Sequence, residues 1–177
     1  MVKPWYRLNQ FRNALGGRLS EDEYAQVSDI LGPDLMTLFD QMHPGEQIHS
    51  LRVTRQLVRD QETNPDLLKA ALLHDVGKSK HPLRLWERVI IVLGRALFPQ
   101  KADIWGMGNP TGWQRPFVIA RQHPGWGAEM VSTAGGSRLC VDLIRYHQES
   151  FQDGTRKDSI VPPLDLLAKL QKADNDN

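Results

Sequence analysis

Apolar residues recur three and four positions apart along most of the chain, which is the pattern of amphipathic helices. The clearest periodic stretches cover residues 45–61, 65–75, 83–98, 138–147 and 164–174. No alternating strand pattern persists, no repeat is visible, and no linker divides the chain. The pattern therefore predicts an all-α protein, folded as a single-domain helical bundle.

Short capping signals predict where several helices begin. Ser20 with Glu23 three residues later forms a capping box, and Gly32-Pro33 is expected to end that helix and to begin another. Asn64-Pro65 and Ser137 are further N-terminal signals. A short amphipathic helix is also expected within residues 1–19.

Two stretches are expected to be irregular. Residues 99–116 are rich in Gly, Pro and Trp, which predicts a long loop of the kind that is usually functional or mobile. His123-Pro124 is expected to interrupt the helix that begins at Phe117, because proline removes a helical hydrogen bond. A polar loop is expected over residues 148–163.

Composition narrows the class of protein. A chain of 177 residues is long enough for one hydrophobic core, and a formal charge of +1 gives no reason to expect DNA binding. Cys140 is the single cysteine, so no internal disulfide can form and a reducing cytoplasm fits best. The longest aliphatic run, Val89 to Leu93, is far shorter than the roughly 20 residues of a transmembrane helix. We expect a soluble, cytoplasmic protein without a signal peptide.

The run from Ala70 to Lys78 carries the first sign of chemistry, because an apolar helix ends there in His74-Asp75. Gly77 is interpreted as the left-handed residue that stops this helix. Side chains of adjacent helical residues diverge by about 100°, so His74 and Asp75 could approach one ion from neighbouring directions. An imidazole and a carboxylate in an apolar core are costly unless they are paired or bound to metal. The run therefore indicates a metal site.

Four of the six histidines lie at predicted helix faces or ends, and the other two precede prolines in apparent loops. A single histidine beside an apolar stripe is more often a partly buried residue with an ordinary partner than a ligand. Four of them, together with aspartates at helix ends, favour a metal centre. The four are His49, His74, His123 and His147; the loop pair is His43 and His81.

The succession His49, His74-Asp75 and Asp174 resembles the motif of the HD-domain metal-dependent phosphohydrolases, an all-helical superfamily. In that superfamily a His, a His-Asp pair and a distant Asp converge on a metal. The strings around these residues also look like those of the family, and the resemblance covers about residues 45–175. It implies an HD domain at residues 45–177, with residues 1–44 as an N-terminal helical extension packed on the core.

Two further segments are similar to the extra metal-site segments of HD-GYP-type phosphodiesterases. They are the strings from His123 to Glu129 and from Tyr146 to Glu149, followed by Asp153-Gly154. The resemblance implies two ions, the first held by His49, His74, Asp75 and Asp174, and the second by Asp75, His123 and His147.

The chain also departs from the HD-GYP pattern at two places. Gln148 replaces the second His of the usual His-His-Glu string, and Thr155-Arg156-Lys157 stands where Gly-Tyr-Pro should follow. These changes argue against a cyclic-dinucleotide substrate and affect the ligand set less than they affect specificity.

Nitrogen and carboxylate ligands suit one or two divalent transition-metal ions, namely Mn, Fe, Co, Ni or Zn. Asp75 would bridge the ions, and Lys78 and Arg52 could each hold a phosphate oxygen. Lys78 could equally be a cation that stabilises a helix C-terminus, and Arg52 could be part of a structural salt bridge. Glu46 is expected to face solvent, and Glu149 either supports the metal site or lies on the surface.

Three functions follow as alternatives. The first is a phosphohydrolase that uses metal-activated water on a nucleotide or another small phosphorylated metabolite, as a monoester or a diester. The second is a catalytically silent sensor or scaffold that binds metal and nucleotide. The third is an interaction module whose helix 83–98 lies on a membrane surface or a partner, although such a helix is more often core. As a variant, the same segment with Trp105 and Trp113 caps the pocket.

Overall fold

The structure, a computed structural model, describes residues 17–149 and 162–177. Within these ranges it contains eight α-helices and no strand, which confirms the all-α prediction. The helices are α1 (Glu21–Phe39), α2 (Pro44–Arg59), α3 (Pro65–Leu73), α4 (Leu85–Leu97), α5 (Pro99–Trp105), α6 (Arg115–Thr133), α7 (Arg138–Tyr146) and α8 (Leu164–Asp176). Two short 3-10 turns lie at Val76–Lys80 and Gly112–Gln114.

Helix α3 lies at the centre of the molecule and is surrounded by α1, α2, α7 and α8. Its Ala and Leu residues are strong helix formers, and those at positions 67 and 70–73 are fully buried. Burying one leucine side chain contributes about 2 kcal/mol, so this short helix is stabilised mainly by its neighbours. The His74-Asp75 pair that follows α3 is therefore held at the centre of the bundle.

The predicted capping signals are confirmed. The Ser20 hydroxyl accepts from the Glu23 amide, and the Glu23 carboxylate accepts from the Ser20 amide. The side-chain oxygens of Asn64 and Ser137 accept from backbone amides in the first turns of α3 and α7. Gly32 adopts a φ of 72° and kinks α1 between two helical segments, as predicted.

Helix α1 shares the hydrophobic core of the other helices through residues such as Val27, Leu31 and Leu35. The division of the chain at residue 44 stays a prediction. The helix predicted within residues 1–19 and the loop predicted over 148–163 lie almost wholly outside the described residues. None of the described helices is both long enough and apolar enough to cross a bilayer.

Two predictions of irregular backbone were wrong. Residues 99–116 contain α5 and the second 3-10 turn, and α6 continues through His123-Pro124 without a break. Pro124 has no N–H to donate to the carbonyl of Ala120. Arg95, on α4, donates to that oxygen instead at 3.3 Å, so a tertiary contact replaces the missing helical bond.

Gly77 was predicted to be the left-handed residue that stops the helix, and this prediction was also wrong. It lies in the first 3-10 turn and is not among the glycines with positive φ. A Cβ atom at this position would lie 2.0 Å from the carbonyl oxygen of His123 and 2.7 Å from the amide nitrogen of Gly127. Gly77 therefore allows the backbone of the turn to pack directly on α6, which brings Asp75 next to His123.

Candidate metal centre

Helices α2, α3 and α8 together form the first group of candidate ligands. Since α2 packs against α8, the Nε2 atom of His49 lies 2.9 Å from Oδ1 of Asp174. The Nε2 atom of His74, at the end of α3, lies 3.5 Å from the same oxygen. The three ligand atoms are all within 4.8 Å of one another.

The second group adjoins the first and consists of Asp75, His123 and His147, which are all buried. His123 comes from α6 and His147 follows the last residue of α7. The Oδ1 atom of Asp75 lies 3.2 Å from Nε2 of His123, and its Oδ2 atom lies 3.6 Å from Nε2 of His74. Asp75 therefore stands between the two groups.

The backbone sets the tautomer of three of these histidines. Nδ1 of His74 lies 2.9 Å from the carbonyl oxygen of Ala71. Nδ1 of His123 lies 3.0 Å from the Ile119 carbonyl, and Nδ1 of His147 lies 2.7 Å from the Ile144 carbonyl. A carbonyl oxygen can only accept, so each Nδ1 carries a hydrogen and each neutral ring presents a lone pair at Nε2.

These three Nε2 atoms are buried and make no hydrogen bond within the described part of the chain. Two of them face carboxylate oxygens, which are also acceptors, so a positive charge is needed between the paired acceptors. An ion about 2.1 Å from each ligand would bring the ligand atoms to within about 4.2 Å of one another. The residues therefore fit divalent metal ions, and small side-chain shifts would close both groups.

In the first group, a proton on His74 supplies the positive charge between the paired acceptors. Burial alone would lower the pKa of His74, but the carboxylates of Asp75 and Asp174 outweigh it and raise the pKa to about 9. Burial would raise the pKa of Asp75, but Lys78 and His74 hold it well below its usual range. Asp174 is likewise held ionised, chiefly by His74, so that its pKa is well below the usual value.

In the second group, neither His123 nor His147 carries an additional proton. Burial, together with the neighbouring imidazoles of His74 and His123, lowers the pKa of His147 to about 3. Burial also lowers the pKa of His123, against the opposing effect of Asp75. Both rings are therefore neutral at physiological pH, which is the state in which an imidazole binds a metal.

A cavity of about 210 Å³ opens beside the two groups. Its lining includes His49, Asp75 and Asp174 and three cationic side chains, those of Arg52, Lys78 and Arg88; Gly45, Glu46, Gln148 and Asn177 complete it. No Phe, Tyr or Trp among the described residues lines this cavity. The described lining is therefore charged and polar, with the three carboxylates of Glu46, Asp75 and Asp174 beside the three cations.

A chain of ion pairs runs from the wall of this cavity to the centre. Arg88 Nη2 lies 2.6 Å from Glu46 Oε1, and Glu46 Oε2 lies 3.5 Å from Lys78 Nζ. Lys78 in turn lies 2.6 Å from Oδ2 of Asp75. Burial would lower the pKa of Lys78, but Asp75 and Glu46 raise it, so the ammonium stays charged.

The structure brings all six predicted ligand residues together, with Lys78 and Arg52 lining the adjacent cavity; their roles stay predictions. The expectation that Glu46 faces solvent was wrong, because its side chain is only 7% exposed and is held by two cations. Arg88 was missed, since nothing in the sequence separates it from the other arginines of α4. Glu149 is exposed, and its backbone carbonyl accepts from Gln171.

The family comparison agrees with this geometry. The model of the HD domain family matches residues 47–175, which is most of the chain. The chain is an HD-domain protein. The matched span of the HD domain runs from α2 to α8 and contains His49, the His74-Asp75 pair and Asp174. Comparisons with curated proteins and with solved structures found no match. The likeness to the HD-GYP branch stays a prediction, and residues 150–161, where Gly-Tyr-Pro would stand, lie outside the described residues.

Proposed function

We propose that this HD-domain protein is a metal-dependent phosphohydrolase that acts on a nucleotide or another small phosphorylated metabolite. One observation carries the proposal: the buried Nε2 atoms of three histidines surround Asp75, and those of His123 and His147 have neither a hydrogen-bond partner nor a proton. They lie beside a cavity whose lining includes three cationic side chains. Ordinary packing would not retain such costly groups at the centre of a bundle.

The proposed ligands divide into two sets. His49, His74 and Asp174 would hold one ion, His123 and His147 would hold another, and Asp75 would contact both. Manganese, iron, cobalt, nickel and zinc all suit this mixture of nitrogen and carboxylate ligands. When bound, such ions lower the pKa of water and offset the negative charge that builds on a phosphoryl group.

The remaining residues would bind and orient the substrate. Lys78 keeps Asp75 ionised and, with Arg52 and Arg88, would offer N–H donors to phosphate oxygens. Glu46, Asp75 and Asp174 line the same cavity, so the bound ions would supply its net positive charge. The cavity is small and has no Phe, Tyr or Trp among its described lining residues. We therefore expect recognition to be centred on the phosphate and the atoms next to it.

The test is to prepare the metal-free protein, load it separately with each candidate metal, and screen phosphomonoesters, phosphodiesters and nucleotides. Asp75→Asn keeps the shape of the side chain but loses its charge, so activity should fall at least about 100-fold and metal content should fall with it. Asp176→Asn, an exposed position on α8, is the matched control and should retain both. Circular dichroism checks that each variant is folded.

A fully loaded protein that hydrolyses none of these compounds would contradict the proposal. If it bound a nucleotide saturably and released it unchanged after hours, the silent sensor or scaffold would be the better description. Loss of activity in Asp75→Asn with unchanged metal content would assign Asp75 to substrate binding rather than to metal binding.

A further inference from the structure

Helix α4 exposes its apolar side chains to solvent, whereas an ordinary surface helix turns them towards the core. Its large apolar side chains point away from the protein, and Leu97, Leu93 and Trp86 are 67%, 54% and 52% exposed. Val89 and Ile90 are exposed on the same side. These positions follow the spacing of one helical face, so the outer surface of α4 is a continuous apolar stripe.

The inner side of α4 carries the polar and small residues instead. Glu87 is buried and is paired with Arg115, and Arg88 is paired with Glu46. A Cβ atom at Gly94 would lie 2.5 Å from the ring of Phe117, so α4 packs closely on α6 at that position. The bulky side chains are thus turned outward although the helix is firmly packed on its inner side.

The stripe continues beyond α4 into the segment that follows it. Phe98, Ile104, Met107 and Trp113 are all exposed. Trp105 is packed against Trp113 and Phe117; neither tryptophan lines the metal-site cavity. A contiguous apolar surface of this extent marks a contact with an apolar environment rather than with water.

The charges around this surface indicate which environment it meets. Between residues 81 and 114, all of which the structure describes, the exposed cations are Arg84, Arg95 and Lys101. Arg95 is turned towards α6, where it donates to the Ala120 carbonyl, so Arg84 and Lys101 form the basic rim of the stripe. The exposed acid in that span is Asp103, which lies 3.6 Å from Arg121. A second copy of the chain would bring like charges towards each other, whereas anionic phospholipid headgroups would complement them.

We propose that the outer face of α4 and the segment up to Trp113 dock on an anionic phospholipid surface. A basic rim around an apolar face with tryptophans at its edge is typical of helices that lie in the membrane interface. Helix α4 is about 20 Å long and none of the described helices can span a bilayer, so the contact is peripheral. This inference is independent of the proposed catalytic activity.

Co-sedimentation of the full chain with vesicles tests the proposal. We expect binding to phosphatidylcholine vesicles that contain about a quarter phosphatidylglycerol, weaker binding to phosphatidylcholine alone, and a blue shift of tryptophan fluorescence on binding. Leu93→Glu should weaken partitioning at least about tenfold. The matched control is Val58→Glu, a 48% exposed position on α2, which should bind as the unmodified chain does.

The rim is tested separately by the double variant Arg84→Gln, Lys101→Gln. Each removed cation should weaken binding to the anionic vesicles about fivefold, and high salt should remove the difference. Absence of binding to either vesicle would overturn the proposal, as would equal binding to both. A dimer in light scattering that Leu93→Glu dissociates, without vesicle binding, would assign the surface to a second copy instead.

Discussion

Metal binding should displace a proton from His74. In the metal-free protein this ring is held between the carboxylates of Asp75 and Asp174, which raise its pKa to about 9. An imidazole binds a metal only through a nitrogen that carries no proton, which is Nε2 in His74. The ion therefore has to replace the proton that the same two carboxylates attract.

The size of the effect follows from the pKa. At about pH 8, one unit below the pKa, roughly nine molecules in ten carry the proton, whereas an ordinary histidine is already neutral. His123 and His147 have lowered pKa values and contribute no proton, and Asp75 is already ionised. Loading the centre at about pH 8 should therefore release close to one proton, and affinity should rise about tenfold between pH 7 and pH 8.

Isothermal titration of metal-free protein in two buffers with different ionisation enthalpies measures the released proton directly. A nitrogen-detected NMR titration of the metal-free protein gives the pKa of His74 independently. His43→Asn is the matched control, because His43 is exposed at the start of α2 and asparagine can replace its cap. This variant should release the same number of protons.

Release of no proton at about pH 8 would refute the reasoning, because His74 would then be neutral before the metal arrives or would not be a ligand. An affinity that does not change between pH 7 and pH 8 would refute it in the same way. If proton release disappeared in His43→Asn, the proton would come from His43 and not from His74.

Three further predictions concern the metal-free fold. Gly77→Ala should lower the free energy of unfolding by about 2–3 kcal/mol or more, because its Cβ would lie 2.0 Å from the carbonyl oxygen of His123. Gly125→Ala, where a Cβ meets nothing within 4 Å, should leave that free energy unchanged or raise it by up to about 1 kcal/mol; equal losses in urea titrations would contradict the packing argument. Burial raises the pKa of Cys140 to about 12, so its thiol should resist a disulfide reagent until urea unfolds the chain, and rapid reaction in the native state would contradict its burial. Because the pKa of His147 falls to about 3 on folding, the unfolded state binds the extra proton as pH falls below about 6.5, and this should cost about 3 kcal/mol of stability by about pH 4. Denaturation of His147→Gln should show a smaller loss over that range, and parallel losses would count against the assignment.

The sequence was most informative where a signal is local. A hydroxyl or amide side chain before an apolar helix needs only its own next few residues to act as a cap, so Ser20, Asn64 and Ser137 could be identified directly. The metal-site residues are distant in sequence, and the residue pattern alone gave only single histidines and aspartates in suggestive positions. Their grouping came from the resemblance to the HD-domain family.

Three of the errors involve contacts between elements that are far apart in the chain. Pro124 was expected to break a helix, because the donor from Arg95 that satisfies the freed carbonyl lies on another helix. Glu46 was expected in solvent because its two cationic partners belong to a turn and to α4. Gly77 was interpreted from its own backbone, although the reason for it is the approach of α6.

The pairing of Arg88 with Glu46 has a consequence for regulation. The same helix that presents Leu93 to the outside supplies, from its inner side, the first of four alternating charges that end at Asp75. A shift of α4 would change the electrostatic potential at that carboxylate without any direct contact. A partner that moved α4 when it bound the outer face would therefore act on Asp75, the carboxylate that both candidate ions would share.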